Sequence, residues 1–302
     1  MSPPLAHALL LLAGALWGGG FIAQQTAMDS LGPLSFIGFR FLIAGLVFLP
    51  FAGIEIRRSV ARGKVLRIRK FLPLLWVGLV FFLGMALQQI GLLATTVTQA
   101  GLLTGLYIVM VPMILLFVLK EPQHRLIWLA AGLALFGTWL LGQGGITDFG
   151  LGEGLILSCA VFWAIHVILV GKIGTRTGLP ITLAVVQFFV ASGLGFLGYV
   201  LARQLGFEQE PALKLEMIQS AWTQLAYAGI FAGGLAFTLQ SVAMRYTKES
   251  TAAILLSSES LFAALFGALL LGDRLGSVGY VGCGLIFGAM VLVECLPKED
   301  PA

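Results

Sequence analysis

Apolar runs of about 18–25 residues recur along the whole chain between short polar breaks, and about 20 such residues let a helix cross a bilayer core. The runs fall at 5–27, 33–54, 71–93, 98–119, 125–143, 151–172, 179–202, 221–244, 250–271 and 277–296, ten in all. The breaks carry turn chemistry: Asp29-Ser30-Leu31-Gly32-Pro33, Lys120-Glu121-Pro122, Gly144-Gly145-Ile146-Thr147-Asp148 and Thr177-Gly178-Leu179-Pro180. Only 11% of residues are charged, against about 25% in a soluble domain, too few to cover a soluble core. The expectation is an all-α polytopic membrane protein of ten transmembrane helices. Its first run lacks a basic leader and continues too far for a signal peptide, so it is expected to be a retained first helix.

Basic residues orient the chain. With ten spans, the termini and the even-to-odd breaks share one side. That side holds Arg57, Arg58, Arg62, Lys64, Arg67, Arg69, Lys70, Lys120, Arg125, Lys172, Arg176, Arg245, Lys248 and Lys298, and the other holds Arg203, Lys214 and Arg274. The asymmetry places both termini in the cytoplasm of a bacterial-type inner (plasma) membrane. The segment Arg57–Lys70 is either a topogenic loop or a surface helix drawn to anionic lipid, and no nucleic-acid partner is expected. The loop Gln204–Ser220 reads as solvated cover. Cys159, Cys283 and Cys295 read as small packing residues, because their number is odd and no metal-ligand spacing surrounds them. Gly-xxx-Gly pairs at Gly14/Gly18, Gly101/Gly105, Gly229/Gly233 and Gly284/Gly288 are expected to let helix backbones approach closely.

The two halves echo each other. A shift of 146 sets Ala15–Trp17 against Val161–Trp163 and Leu31-Gly32 against Thr177-Gly178. A shift of 152 sets Leu87-Gln88 against Leu239-Gln240, Thr95 against Thr247, Ala100 against Ala252, Glu121 against Asp273, and Gly132 against Gly284. Two units follow, 1–145 with helices one to five and 146–302 with helices six to ten. An odd number of spans per unit inverts the second copy, the plan of many secondary transporters, whose substrate site lies near the midplane between repeats. Five plus five helices could form a complete pathway in one chain, so a monomer would suffice.

ALWGGGF in the first span, FRFLIAGLVFLP in the second, AVFWAIHVIL in the sixth and the stretch ending LLLGDRL resemble the drug/metabolite transporter superfamily, specifically its EamA-type ten-helix transporters. The resemblance covers essentially the whole chain. It departs at Glu259-Ser260, where the family usually shows Glu-Pro, while the acid after Leu-Gly is kept as Asp273. It implies a secondary transporter without a cofactor, and a likeness to YddG-like amino-acid exporters implies outward movement of amino acids or similar small polar metabolites.

The candidate site residues are polar or aromatic groups set in apolar spans. Glu259 lies halfway along the ninth, where a carboxylate costs about 2.5–3.5 kcal/mol on insertion scales. It can bind a substrate ammonium, exchange protons, or merely hydrogen-bond Ser257 or a neighbouring helix. Its counterpart in the first copy is Tyr107, so a cavity between the copies should be chemically asymmetric. Trp17 and Trp163 sit mid-span rather than at the interfaces where Trp usually anchors, as paired cavity walls or as core packing. Gln88 and Gln240 occupy equivalent positions and offer amides to a polar solute or to a neighbouring helix. His166 shares a face with Trp163, as proton carrier or packing residue. Arg40 lies roughly 10 Å inside the second span, where it meets a substrate carboxylate or faces a polar cavity mouth, or else, as the favoured structural reading has it, snorkels outward or bonds helix-end carbonyls. Gln24 and Gln25, near the outer end of the first span, read as wet. Spans one, three, four, six, eight and nine are expected to supply the cavity. GxxxxGK[ST], HExxH and GxSxG are all absent from the sequence, which argues against ATP-driven or hydrolytic chemistry in this chain; the rivals to an amino-acid exporter are a broader drug or metabolite carrier of another substrate class, a channel, and a membrane-embedded enzyme or scaffold.

Overall fold

The computed structural model describes residues 1–63, 72–142, 149–266, 268–269 and 276–296, and every regular element among them is a helix. Among the described residues nine segments are long and apolar enough to cross a membrane: α1 (Pro3–Ala27), α2 (Pro33–Ala61), α3 (Leu72–Gly91), α4 (Gln99–Phe117), α6 (Leu151–Thr177), α7 (Pro180–Gln204), α8 (Trp222–Ala243), α9 (Glu249–Phe266) and α10 (Ser277–Glu294). The remaining apolar helix, α5 (Arg125–Leu141), has 17 residues, near the lower bound for spanning. Leu46, Phe51, Trp76, Phe117, Leu129 and Phe287 are each about half or more exposed on the outside of the bundle. That belt suits hydrocarbon, where helices satisfy their own backbone groups.

Sequence chemistry sets the helix ends. Pro3, Pro33 and Pro180 open α1, α2 and α7, where a missing N–H costs nothing. Thr96 accepts a hydrogen bond from the Gln99 amide at 3.2 Å and caps the first half of α4. Gly178, with φ 68°, ends α6 in the left-handed conformation that glycine adopts without strain. α2 runs seven residues beyond its apolar run, because Glu55, Arg57 and Arg58 continue the helix past the apolar stretch. Residues 64–71 of the basic segment, the turn 143–148 with the expected boundary at 145/146, Asp273, Arg274 and Lys298 lie outside the described residues.

Three spans are interrupted. α4 turns at Gly105–Leu106, α9 turns at Ser257, and α8 is π-helical over Tyr227–Leu235. The first two interruptions are equivalent under the shift of 152 that relates the halves. Broken spans and π-turns concentrate at functional positions in membrane carriers and in helices generally.

The major helix contacts are exchanged when the first five helices are swapped for the last five. α3 packs on α6 as α8 packs on α1; α3 meets α7 as α8 meets α2; α4 meets α6 as α9 meets α1. The pairs α2–α7, α4–α9 and α5–α10 map onto themselves. Small residues sit where backbones meet. A Cβ on Gly18 would stand 2.7 Å from the Ala263 nitrogen of α9, and one on Gly137 would stand 2.7 Å from the Gly282 carbonyl of α10. Gly284 and Gly288, by contrast, have nothing within 4 Å of a built Cβ, so that pair makes no close approach among the described residues.

Two carboxylates bind α2 to α7. Glu55, near the end of α2, accepts hydrogen bonds from the backbone N–H groups of Ile181 (3.2 Å) and Thr182 (2.7 Å) at the start of α7. Glu210, beyond the end of α7, accepts from the Leu34 and Ser35 N–H groups at the start of α2. Each satisfies orphan donors at a positive helix end. The loop Gln204–Ser220 is therefore not only solvated cover, because Glu210 is fully buried. Of the cysteines, Cys159 is buried, Cys283 half-buried and Cys295 exposed, all of them free thiols.

Candidate functional site

A cavity of about 550 Å³, its open end included, lies between the halves. α1 contributes Trp17, Gly20, Phe21 and Gln24; α2 Arg40; α3 Met85 and Gln88; α4 Thr104 and Tyr107; α6 Trp163 and Val167; α8 Ala232, Phe237 and Gln240; α9 Leu256 and Glu259. The interrupted stretches of α4, α8 and α9 all reach the cavity, at Thr104/Tyr107, Ala232 and Leu256/Glu259.

The structure thus brings together Trp17, Arg40, Gln88, Tyr107, Trp163, Gln240 and Glu259. His166 stands apart. It is completely buried behind the wall, with its Nε2 2.9 Å from the Gln187 Oε1, and it packs against Phe81 and Trp163.

The aromatic wall is continuous. Trp163 stacks on Phe237 with ring centroids 5.9 Å apart and an interplanar angle of 12°, and Trp17 meets Phe237 at 4.6 Å. The Trp163 indole N–H donates to Gln88 Oε1 at 2.8 Å. The Trp17 indole N–H donates instead to the Ala232 carbonyl at 2.9 Å, inside the π-helical stretch of α8. Gln240, the counterpart of Gln88, is buried and its Oε1 has no partner.

Two ionisable side chains of opposite kind, a guanidinium and a carboxyl, face this space from different halves. Arg40 neither snorkels nor bonds a helix-end carbonyl. It is 1% exposed, its Nη1 lies 3.6 Å from the Met85 sulfur, its Nε is unpartnered, and its guanidinium sits 4.7 Å from the Phe41 ring centroid. Glu259 is half-buried, and among the described residues its carboxylate has neither a hydrogen-bond nor an ion-pair partner. Counted from the prolines that open α2 and α7, the counterpart of Arg40 is Gln187. Neither charge is duplicated.

The lining residues that sequence reasoning passed over are mostly apolar: Phe21, Met85, Val167, Ala232, Phe237 and Leu256. Mean hydropathy cannot tell a lipid-facing side chain from a cavity-facing one. Gln24 is buried and lines the cavity, while its neighbour Gln25 is exposed. Gln24 stands at i+7 from Trp17 and i+3 from Phe21, on the same helical face, and that spacing could have signalled this.

A bundle of apolar helices, doubled in its contacts and holding an aromatic-walled cavity with a few polar groups at three interrupted spans, has the build of a multi-pass membrane protein, and the family match makes it a transporter. A model of the EamA-like transporter family matches residues 4–143 and again residues 150–295, and the chain belongs to that family. An uncharacterized transporter of Archaeoglobus fulgidus is 32% identical over 285 residues, covering 94% of this chain and 84% of that protein. The uncharacterized inner membrane transporter YedA of Escherichia coli is 26% identical, covering 96% of this chain and 90% of its own length. The uncharacterized transporter YwfM of Bacillus subtilis is 25% identical, covering 96% and 94%. Among the solved structures that match, one has a TM-score of 0.75 at 18% identity, covering 96% of each chain, a likeness of fold.

Proposed function

We propose that the chain is a secondary transporter that exports amino acids, or similar small polar metabolites, across the inner membrane by alternating access. The observation that carries the substrate class is that Arg40, whose Nε has no partner, and Glu259, whose carboxyl has none among the described residues, line one aromatic-walled cavity. A lone charge in such a place is costly, and a zwitterion would satisfy both. Its carboxylate suits the guanidinium of Arg40, which can offer two parallel N–H donors. Its ammonium suits Glu259. Gln88 and Gln240 add neutral donors and acceptors, and the Trp17, Trp163 and Phe237 faces suit an apolar side chain. Anionic solutes such as nucleotide sugars are a poorer match, since Arg40 is the only base on the cavity among the described residues.

Alternating access is supported by the exchange symmetry of the contacts and by two units of five spans, which place the second inverted to the first. The positive-residue asymmetry supports cytoplasmic termini. The outward direction is supported by likeness to YddG-like amino-acid exporters.

The test is flux into and out of liposomes holding the purified chain, offered a panel of labelled amino acids, amines, carboxylates and dyes. Saturable flux and counterflow of amino acids are expected. Saturable flux of dyes or amines alone would replace the substrate class with that of a broader drug or metabolite carrier. Non-saturating flux without counterflow would make it a channel, and no flux of any solute would overturn transport.

A further inference from the structure

α1 and α6 are equivalent helices, and each runs beside the equivalent pair of helices from the other half: α6 beside α3 and α4, α1 beside α8 and α9. The two interfaces differ. On the side away from the termini, α6 is sealed to α3 and α4 by two hydrogen bonds. Trp163 donates to Gln88 at 2.8 Å, and the Thr95 hydroxyl donates to Glu153 Oε1 at 2.5 Å. The backbones touch there as well: a Cβ on Gly152 would stand 2.7 Å from the Ala94 carbonyl carbon.

On the side of the termini the equivalent atoms are unjoined. The shifts that relate the halves set Gln88 against Gln240, Thr95 against Thr247, Trp163 against Trp17 and Glu153 against His7. Gln240 Oε1 is buried without a partner, and so is the Thr247 hydroxyl. Trp17 donates to the Ala232 carbonyl instead, and His7 Nδ1 lies 2.5 Å from Glu294 Oε1 of α10. His7 and Thr247 both line a cleft of about 1,530 Å³, open end included, that separates α1 from the α8–α9 turn. The helix carrying Ala232 is π-helical where its counterpart α3 is regular.

We propose that these are the two gates of the carrier, here closed on the far side and open on the side of the termini. In the opposite state, Trp17 transfers its N–H from Ala232 to Gln240, and His7 leaves Glu294 to accept from the Thr247 hydroxyl. The Trp163–Gln88 and Thr95–Glu153 contacts part in the same step. Gln240 and Thr247 are thus positioning residues of a gate, and their buried, unpartnered atoms are the places its closure fills. A buried polar atom without a partner is disfavoured, and because each state leaves one such pair unmade the two can stay close in free energy. This gate assignment rests on the alternating-access reading above.

The experiment uses the full chain with Cys159, Cys283 and Cys295 replaced, carrying one reporter at a time. Leu92→Cys reports the far-side seal, and Thr251→Cys the cleft at the termini. Both are labelled with a small water-soluble maleimide in proteoliposomes permeabilised to it. Thr251→Cys should label faster than Leu92→Cys. Thr95→Val removes a far-gate contact and should raise Leu92→Cys labelling while lowering Thr251→Cys labelling, each by about 2- to 10-fold for one lost hydrogen bond. Thr247→Val should do the reverse at Leu92→Cys. If Thr95→Val loosened the far side without slowing labelling at Thr251→Cys, the damage would be local and the proposal overturned. Leu92→Cys labelling unchanged or raised by Thr247→Val would overturn it equally. No solute is needed, so reciprocal labelling without amino-acid flux would defeat only the substrate class. Amino-acid flux without reciprocal labelling would defeat only the gates.

Discussion

Tyr107 and Glu259 stand at equivalent places in the two halves, each just beyond the break in its helix, and both line the central cavity. One copy presents a phenol there and the other a carboxylate. The cavity is symmetric in construction and polar in a single direction, which is what an asymmetric solute requires of a symmetric frame.

Glu259→Gln is expected to lower saturable amino-acid flux about tenfold or more, the loss of one charge-assisted contact. It should not lower the melting temperature in detergent, since no hydrogen bond to Glu259 is present among the described residues. Flux measured in liposomes together with a thermal melt separates the two effects. Unchanged flux, at all pH values tried, would remove Glu259 from the site.

Arg40→Gln should weaken competition by amino acids much more than competition by the corresponding amines, which lack the carboxylate. Arg40→Lys should restore only part, because an ammonium cannot make two parallel bonds. Inhibition constants for matched amino-acid and amine pairs provide the readout, and equal weakening of both would assign Arg40 to packing.

Gly18→Leu should destabilise by about 1–3 kcal/mol or more, because a Cβ at Gly18 already meets the Ala263 nitrogen, the Glu259 carbonyl oxygen and the Phe262 carbonyl carbon within 2.9 Å. Those are backbone atoms and cannot swing aside. Gly284→Ala has open space and should be neutral or stabilising by about 0.5–1 kcal/mol. Thermal melts of the two variants check the contrast.

Burial pushes the Glu210 carboxyl above its ordinary range, against the hydrogen bonds from Leu34 and Ser35 that pull it down. A carboxyl so raised holds its proton longer in the folded chain than in the unfolded one. Its contribution is therefore fullest below the unfolded value of about 4.3 and is lost as pH rises through the higher folded value. Glu210→Gln should abolish that part of the decline, so the parent should lose more stability than the variant between pH 4 and pH 7. Parallel slopes in melts across that range would count against it.

The helices were legible because hydrocarbon imposes a length and a polarity on every span, and a sum over 20 residues averages out local accidents. α2 overran its apolar stretch because a helix does not stop where the lipid stops. The Gly14/Gly18 spacing found its partner in α9, whereas Gly284/Gly288 found none among the described residues, since glycine spacing records what backbones permit and not which neighbour arrives. Polar groups that line the cavity, Gln88, Gln240 and Glu259, stood out against their spans. Phe237 and Met85 did not, because an apolar side chain on a cavity wall has the same composition as one facing lipid. Glu210 was illegible for another reason: its partners are backbone N–H groups 175 and 176 positions away, and no local pattern announces them.

Arg40 and Glu259 come from opposite halves, and their counterparts are Gln187 and Tyr107. A dimer of two first halves would carry two arginines and no acid on this cavity, and a dimer of two second halves two acids and no base. Neither ancestor-like assembly could hold both ends of a zwitterion. Two identical subunits could not place a base at one of these positions and an acid at the other, whereas two different halves of one chain can.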